Sequence, residues 1–199
     1  MSHRKFLRLC AKPDQEGALA LLDQHSDWLD KGLEGIGIFV SVRRVSPGST
    51  AIIAAAVGGS VGLIDALLKR GADVRKVNGY RHNALMMASR HGHVGAATLL
   101  LDRAPDLVES RKDDGWTPLH FAAWTDQFDI WQLLIARGAD LRVTNDDGVT
   151  PLTLYGNYID PPLTHTVKQQ RLDQLLAAFD DGPHPSQVSA SDSYPSLWP

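Results

Sequence analysis

Residues Asp113 to Asp140 read DDGWTPLHFAAWTDQFDIWQLLIARGAD, and this stretch decides the fold. Thr117 offers a hydroxyl to cap a helix, and Pro118, with its φ near the helical value and no N–H to satisfy, suits the first helical position. Leu119, Ala122 and Ala123 then fall at i, i+3 and i+4, giving one apolar face whose alanines let another helix come close. Asp126 offers a second cap, Ile130, Leu133 and Leu134 repeat the apolar spacing, and Gly138 supplies the left-handed conformation that ends a helix. The expected product is two short antiparallel helices.

A helix pair this small cannot bury both apolar faces alone, so it has to recur. Thr150-Pro151-Leu152-Thr153 repeats Thr117-Pro118-Leu119-His120. Asn83 to Ser89, NALMMAS, takes the same place one unit before Thr117, and Thr50 to Ala56, TAIIAAA, takes it one unit earlier again. Thr50, Asn83, Thr117 and Thr150 thus mark a period of roughly 33 residues, the length of one small two-helix unit. The second helices keep step, because Gly71-Ala72-Asp73 stands two periods before Gly138-Ala139-Asp140.

The phrases DDGWTPLHFAA, RHGHVGAATLLL and LLKRGADV closely resemble the ankyrin repeat, over roughly Thr50 to Tyr155. The resemblance implies an all-α solenoid of stacked helix pairs joined by β-hairpin-like loops, with about three well-matched repeats and degenerate capping units at both ends. Loops and first helices would line a concave face. On that frame residues 1–179 form one domain: a capping unit at 4–30, a hairpin finger at 31–49, repeats at about 45–77, 78–111 and 112–144, and a C-terminal capping unit at 145–179. Residues 180–199, rich in Pro, Ser and Asp, are expected to be a disordered acidic tail.

The flanks depart from the pattern in readable ways. Phe6, Leu7, Leu9 and Cys10 give one apolar face, Pro13 interrupts, and Ala18, Leu19, Leu21 and Leu22 give another. Leu21-Leu22 precede their counterparts Leu67-Leu68 by more than one period, and the surplus lies between Asp27 and Ser49. There Ile36, Ile38 and Val40 alternate with Gly37 and Phe39, the period of a strand, until Pro47-Gly48 turns the chain. This finger either shields the first repeat or meets a partner through Phe39, Arg43 and Arg44. Ala104-Pro105 replaces the Gly-Ala of other repeats; a left-handed Ala104 would cost about 1–2 kcal/mol, so the loop is expected to change path. Leu172, Leu175, Leu176 and Phe179 mark an amphipathic capping helix, and Tyr194, Leu197 and Trp198 could dock on a partner or on a second copy.

Composition narrows the function. Net charge is −3, and Asp180, Asp181 and Asp192 in the tail leave 20 acids against 20 bases elsewhere. A neutral body gives little support for nucleic-acid binding, which needs a basic surface. Cys10 is the only cysteine, which rules out an internal disulfide and suits a reducing compartment. No apolar run is long enough to span a bilayer. The expectation is an intracellular, cytoplasmic, monomeric protein with no membrane partner.

Chemistry finds little footing. His91 and His93, two apart, do not share a helix face, so a metal site there is disfavoured. By resemblance His120 bonds Thr117 or backbone instead of acting in catalysis. Asp113-Asp114 and Asp146-Asp147 each precede a glycine and read as turn formers. Cys10 suits a small buried hydrophobe better than a nucleophile, although an enzyme site between the finger and Cys10 is the competing reading. No cofactor and no metal are expected, and no residue is assigned to catalysis.

What remains is binding. By resemblance the groove-facing slots are Tyr80, His82, Arg90 and His91; Asp113, Asp114, Trp116, Trp124 and Thr125; and Asp146, Asp147, Val149, Asn157 and Tyr158. Aromatic residues and Arg dominate interface hot spots. The expected partner is another protein, held through a basic or aromatic-binding segment. The plainer account of Trp116 and Trp124 is that they stack on neighbouring loops and stiffen the array. Trp131 is assigned to the core, and Trp28 receives no place.

Overall fold

The structure is a computed structural model that describes residues 3–12, 16–32, 38–40, 43–155, 170 and 173, with backbone only at 38–40 and 43–45. Helices α1 (His3–Cys10) and α2 (Glu16–Gln24) come first, followed by a 3-10 turn at Ser26–Trp28. Strands β1 (Ile38–Val40) and β2 (Arg43–Val45) pair antiparallel with Phe39 opposite Arg44, so the period-two stretch is a hairpin. Helix pairs follow: α3 (Ala51–Gly58) with α4 (Val61–Lys69), α5 (Ala84–His91) with α6 (Val94–Arg103), and α7 (Pro118–Trp124) with α8 (Phe128–Ala136). The short helix α9 (Pro151–Leu154) opens the last unit. Helices α3, α5, α7 and α9 start at Ala51, Ala84, Pro118 and Pro151, each one place after the residue that marks the sequence period.

Packing follows from composition. Helices α1, α3, α5, α7 and α9 stack in one row, while α4, α6 and α8 stack in another. Ala51 to Ala56 are wholly buried, because α3 is covered by α1 on one side and α5 on the other. A helix so enclosed has to be apolar all round, and its small side chains let both neighbours approach. The second helices bury only one stripe, such as Leu63, Ile64 and Leu67 in α4. Each fully buried Leu or Ile contributes about 1.5–3 kcal/mol. Ion pairs tie successive units on the outside, with Arg70 to Asp23 at 2.8 Å, Arg103 to Asp65 at 3.5 Å and Arg137 to Asp102 at 2.9 Å. Exposed pairs of this kind add little energy singly and serve to hold register.

Side-chain caps close the starts of α5, α7 and α9, whereas Thr50 stands at the N-cap of α3 without a side-chain cap bond. Asn83 Oδ1 accepts the Met86 N–H at 2.9 Å. Thr117 and His120 form a reciprocal box, the Thr117 N–H donating to His120 Nδ1 at 3.2 Å. In α9 the same box uses a hydroxyl, with the Thr150 N–H donating to Thr153 Oγ1 at 3.1 Å and the Thr153 N–H to Thr150 Oγ1 at 3.2 Å. Ala104 sits at φ −145 and leads into a 3-10 turn at Pro105–Glu109, so the loop does change path and avoids left-handed strain. Trp131 is fully buried and stacks on Tyr155 at 4.4 Å. Trp28 belongs to the N-terminal core, stacked on His25 at 4.0 Å and 5.6 Å from the Phe6 ring.

One expected cap is not where the sequence put it. Gln127, not Asp126, stands at the N-cap of α8, and it makes no side-chain cap bond. Asp126 has φ +53 and occupies the left-handed slot that Gly59 and Gly92 fill in the two preceding units. Both have φ near +75, and at Gly59 a Cβ would also strike the His93 ring, whereas at Gly92 it would meet only the movable end of Gln127. Asp is among the few residues that enter this region at modest cost, which accounts for Asp126 at the end of the series.

Residues Met1–Pro162 make one compact unit and Leu163–Pro199 a second. In the second, Gln170 and Asp173 are helical and exposed. The expected contacts of Asn157 and Tyr158, the capping helix at 172–179 apart from Asp173, and the tail at 180–199 lie outside the described residues.

Candidate functional site

Three loop tips precede the first helices and share one geometry. The N–H of Asn78 donates to the His82 carbonyl at 2.9 Å, that of Lys112 to Trp116 at 2.9 Å, and that of Asn145 to Val149 at 3.0 Å. The Asn78 amide oxygen folds back to accept the N–H groups of Tyr80 and His82 at 2.9 and 3.0 Å. Asn145 does the same for Asp147 and Val149 at 3.1 and 2.8 Å. Such side-chain turns are why Asn and Asp stand at these places. The acidic pairs behave accordingly: Gly115 and Gly148, next in sequence, adopt φ +81 and +73. Lateral bonds join the tips, from the Asp146 N–H to the Asp114 carbonyl at 3.0 Å and from the Gly79 N–H to the Pro47 carbonyl at 2.8 Å.

On the face made by these tips and the first helices, a continuous aromatic chain runs from one unit to the next. Tyr80, 48% exposed, lies 6.0 Å from the His82 ring. His82 meets Phe121 edge-on at 5.1 Å, and Phe121 lies 5.2 Å from Trp116. Trp116 in turn meets Trp124 edge-on at 5.7 Å and 86°. The Arg90 guanidinium caps the far end, 5.0 Å above the Trp124 ring. Both indoles are half-buried, so each rests on a neighbour and still offers surface. Stacking that stiffens the array and a partly open aromatic surface therefore coexist.

The sequence named every member of this chain except Phe121, which hid inside the apolar run of α7. Other named residues support its rim. The Thr125 hydroxyl donates to the Phe121 carbonyl at 2.8 Å, and His91 lies 6.2 Å from His93. Asp113 and Asp114 are not the open acidic tips expected: Arg81 holds Asp113 at 2.9 Å, and Lys112 holds Asp114. Burial alone would raise the Asp114 carboxyl, but Lys112 and the Trp116 N–H hold it below its ordinary value. Asp146 and Asp147 are exposed and make no ion pair among the described residues. Tyr158 lies outside them.

The floor is uncharged at neutral pH. Burial pushes the His82 imidazole down to about 4, helped by Lys112 and Arg90 and opposed by Asp114. His120 is fully buried, and burial lowers it as well. With Nδ1 accepting from Thr117, its Nε2–H donates to the Val149 carbonyl at 3.0 Å and so links α7 to the next tip. Both ring nitrogens are thus engaged in ties within the scaffold. The His93 ring nitrogen Nε2 bonds the Val57 carbonyl at 3.1 Å, which likewise uses it as an inter-unit tie. Among the described residues no cluster of His, Cys, Asp and Glu is grouped as a metal site requires, and no helix is long and apolar enough to cross a membrane. Cys10 is wholly buried and burial pushes its thiol well up, so it is held as the thiol and does not suit attack as a thiolate.

A row of two-helix units with tied tips and a shared exposed face defines a repeat scaffold for interaction. The family model for ankyrin repeats (3 copies) matches residues 9–111 and 51–145, and the chain belongs to the ankyrin repeat family. Ankyrin repeats mediate protein–protein interaction. The chain is 30% identical over 142 residues to human protein phosphatase 1 regulatory subunit 27, covering 68% of each. It is 32% identical over 109 residues to alpha-latrocrustotoxin-Lt1a of Latrodectus tredecimguttatus, which covers 54% of this chain and 8% of the toxin. Mouse inversin is 26% identical over 155 residues, covering 61% of this chain and 15% of inversin. The chain thus spans a small part of the last two relatives.

Proposed function

We propose that this protein is a non-enzymatic interaction module that holds a segment of another protein in the groove formed by the loop tips and first helices, centred on Trp116 and Trp124. The observation that carries the proposal is the aromatic chain itself. Two half-exposed indoles, edge to face and braced by Phe121, present a large rigid area with few rotors to freeze, the type of surface that anchors binding. Repeat relatives that regulate or assemble other proteins, such as the phosphatase regulatory subunit, point the same way. Tyr80, Arg90, His91 and Thr125 extend the contact along the helix ends, while Asp146 and Asp147 extend it along the tips. His82 lies beneath, supporting Phe121. The enzyme alternative built on Cys10 loses ground because the thiol is sealed in the core.

The test is quantitative capture of a partner from the native cell by the full chain and by its Trp116→Ala and Trp124→Ala variants, with circular dichroism to confirm an unchanged fold. Loss of a hot-spot indole typically costs about 2 kcal/mol or more, roughly thirtyfold in affinity. Undiminished capture by both variants would remove the groove assignment.

A further inference from the structure

The Arg90 side chain is the unmatched cation beside the indoles among the described residues. It is half-buried against Trp124, and burial lowers its pKa, which reports water stripped from the guanidinium. Among the described residues it has neither a carboxylate partner nor a hydrogen-bond acceptor, whereas its neighbours are matched: Arg81 pairs with Asp113 and Lys112 with Asp114. The ring contact offers the guanidinium's charge a π-face but no lone-pair acceptor, so its N–H donors remain to be used. The potential along the floor has the same sign, since Lys112 and Arg90 together oppose protonation of His82 more than Asp114 favours it.

Resting on the groove reading above, we propose that Arg90, seated on Trp124, anchors a carboxylate of the bound segment. The segment would place an Asp or Glu against the guanidinium edge and an apolar or aromatic side chain over Trp116. A carboxylate matches the guanidinium fork with two parallel hydrogen bonds. A phosphate dianion would call for a second open cation, and Arg81 and Lys112 are already paired, so the single fork suits a carboxylate. At this position the partner charge is opposite to the one expected from sequence. Asp113 and Asp114, two of the acids that suggested a basic segment, are paired within the chain, and the open charge on Trp124 is positive, while Asp146 and Asp147 stay open on the next tip.

A random peptide library displayed on phage, panned on the full chain, tests the anchor. Enriched peptides should carry Asp or Glu beside an apolar or aromatic residue. Arg90→Gln should weaken them about tenfold or more, as loss of a charge-assisted bond does, and Arg90→Lys should keep the acid preference at reduced affinity. Panning on Arg90→Glu should switch the enriched peptides from acidic to basic, a change that loss of packing alone would not produce. Circular dichroism and the urea midpoint of each variant confirm folding. Peptides that depend on Trp116, show no acid preference and tolerate Arg90→Gln would overturn the anchor and leave the groove reading standing. Peptides indifferent to Trp116→Ala, or no enriched peptide at all, would overturn both.

Discussion

Replacing His120 with leucine isolates the bond that links one unit to the next. The side chain is fully buried, Nδ1 accepts the Thr117 N–H at 3.2 Å, and Nε2–H donates to the Val149 carbonyl at 3.0 Å. Leucine keeps the site filled and apolar but removes both bonds, leaving the buried Thr117 N–H without a partner and the Val149 carbonyl with the Asn145 N–H alone. The orphaned donor costs about 1–3 kcal/mol and the lost Val149 bond about 1 kcal/mol more, so His120→Leu should lose about 2–4 kcal/mol in total. That is a large fraction of the ~5–15 kcal/mol that stabilises a typical domain. His120→Thr copies Thr153, which closes the same box with its hydroxyl. It should keep the cap, lose only the Val149 bond, and cost about half as much. Urea unfolding followed by far-ultraviolet circular dichroism measures all three proteins. A His120→Leu chain within about 0.5 kcal/mol of the original would refute the reasoning. If threonine were as damaging as leucine, the box would carry no energy and the inter-unit bond all of it.

Gly59→Ala should destabilise more than Gly138→Ala. Both positions have left-handed φ, which costs alanine about 1–2 kcal/mol, but at Gly59 the new methyl also meets the His93 ring, which the Val57 carbonyl holds in place, while nothing stands near Gly138. Equal urea midpoints for the two variants would show that the close approach is unimportant. Acid should weaken the fold between pH 6.5 and about 4, because the unfolded chain takes up a proton at His82 that the folded chain refuses. The stability is present above the unfolded pKa and falls with pH at up to about 1.4 kcal/mol per unit. His82→Leu should flatten that slope in urea titrations run across the window, and an unaltered slope would contradict the assignment. His120, also held below its ordinary value by burial, adds loss of the same sign, so a shallower slope should persist in the variant.

Most of the array is legible in the sequence because its determinants are local and periodic. The Thr-Pro-Leu box, the small first helices and the glycine ends recur in step along the chain, and each does one physical job wherever it appears. The Ala104 loop is legible for the same reason, since a left-handed alanine is costly in any context. What escapes depends on partners distant in sequence. Asp113 reads as an open acid because Arg81, its partner, stands 32 residues upstream on another tip. Phe121 reads as one more core residue of α7, yet it is the ring that joins His82 to Trp116. Asp126 reads as a cap because Asp before a helix usually is one; its left-handed role shows only beside Gly59 and Gly92.

Site-directed photo-cross-linking tests the central claim most directly. A photoreactive residue replaces Trp124 in one protein and Gln132, exposed on the second-helix row, in another, and both are irradiated in the native cell. The account predicts a discrete protein adduct from position 124 that is absent from position 132 and is lost when Trp116→Ala is added. An adduct from position 132 with none from position 124 would place the binding surface on the opposite face and contradict it.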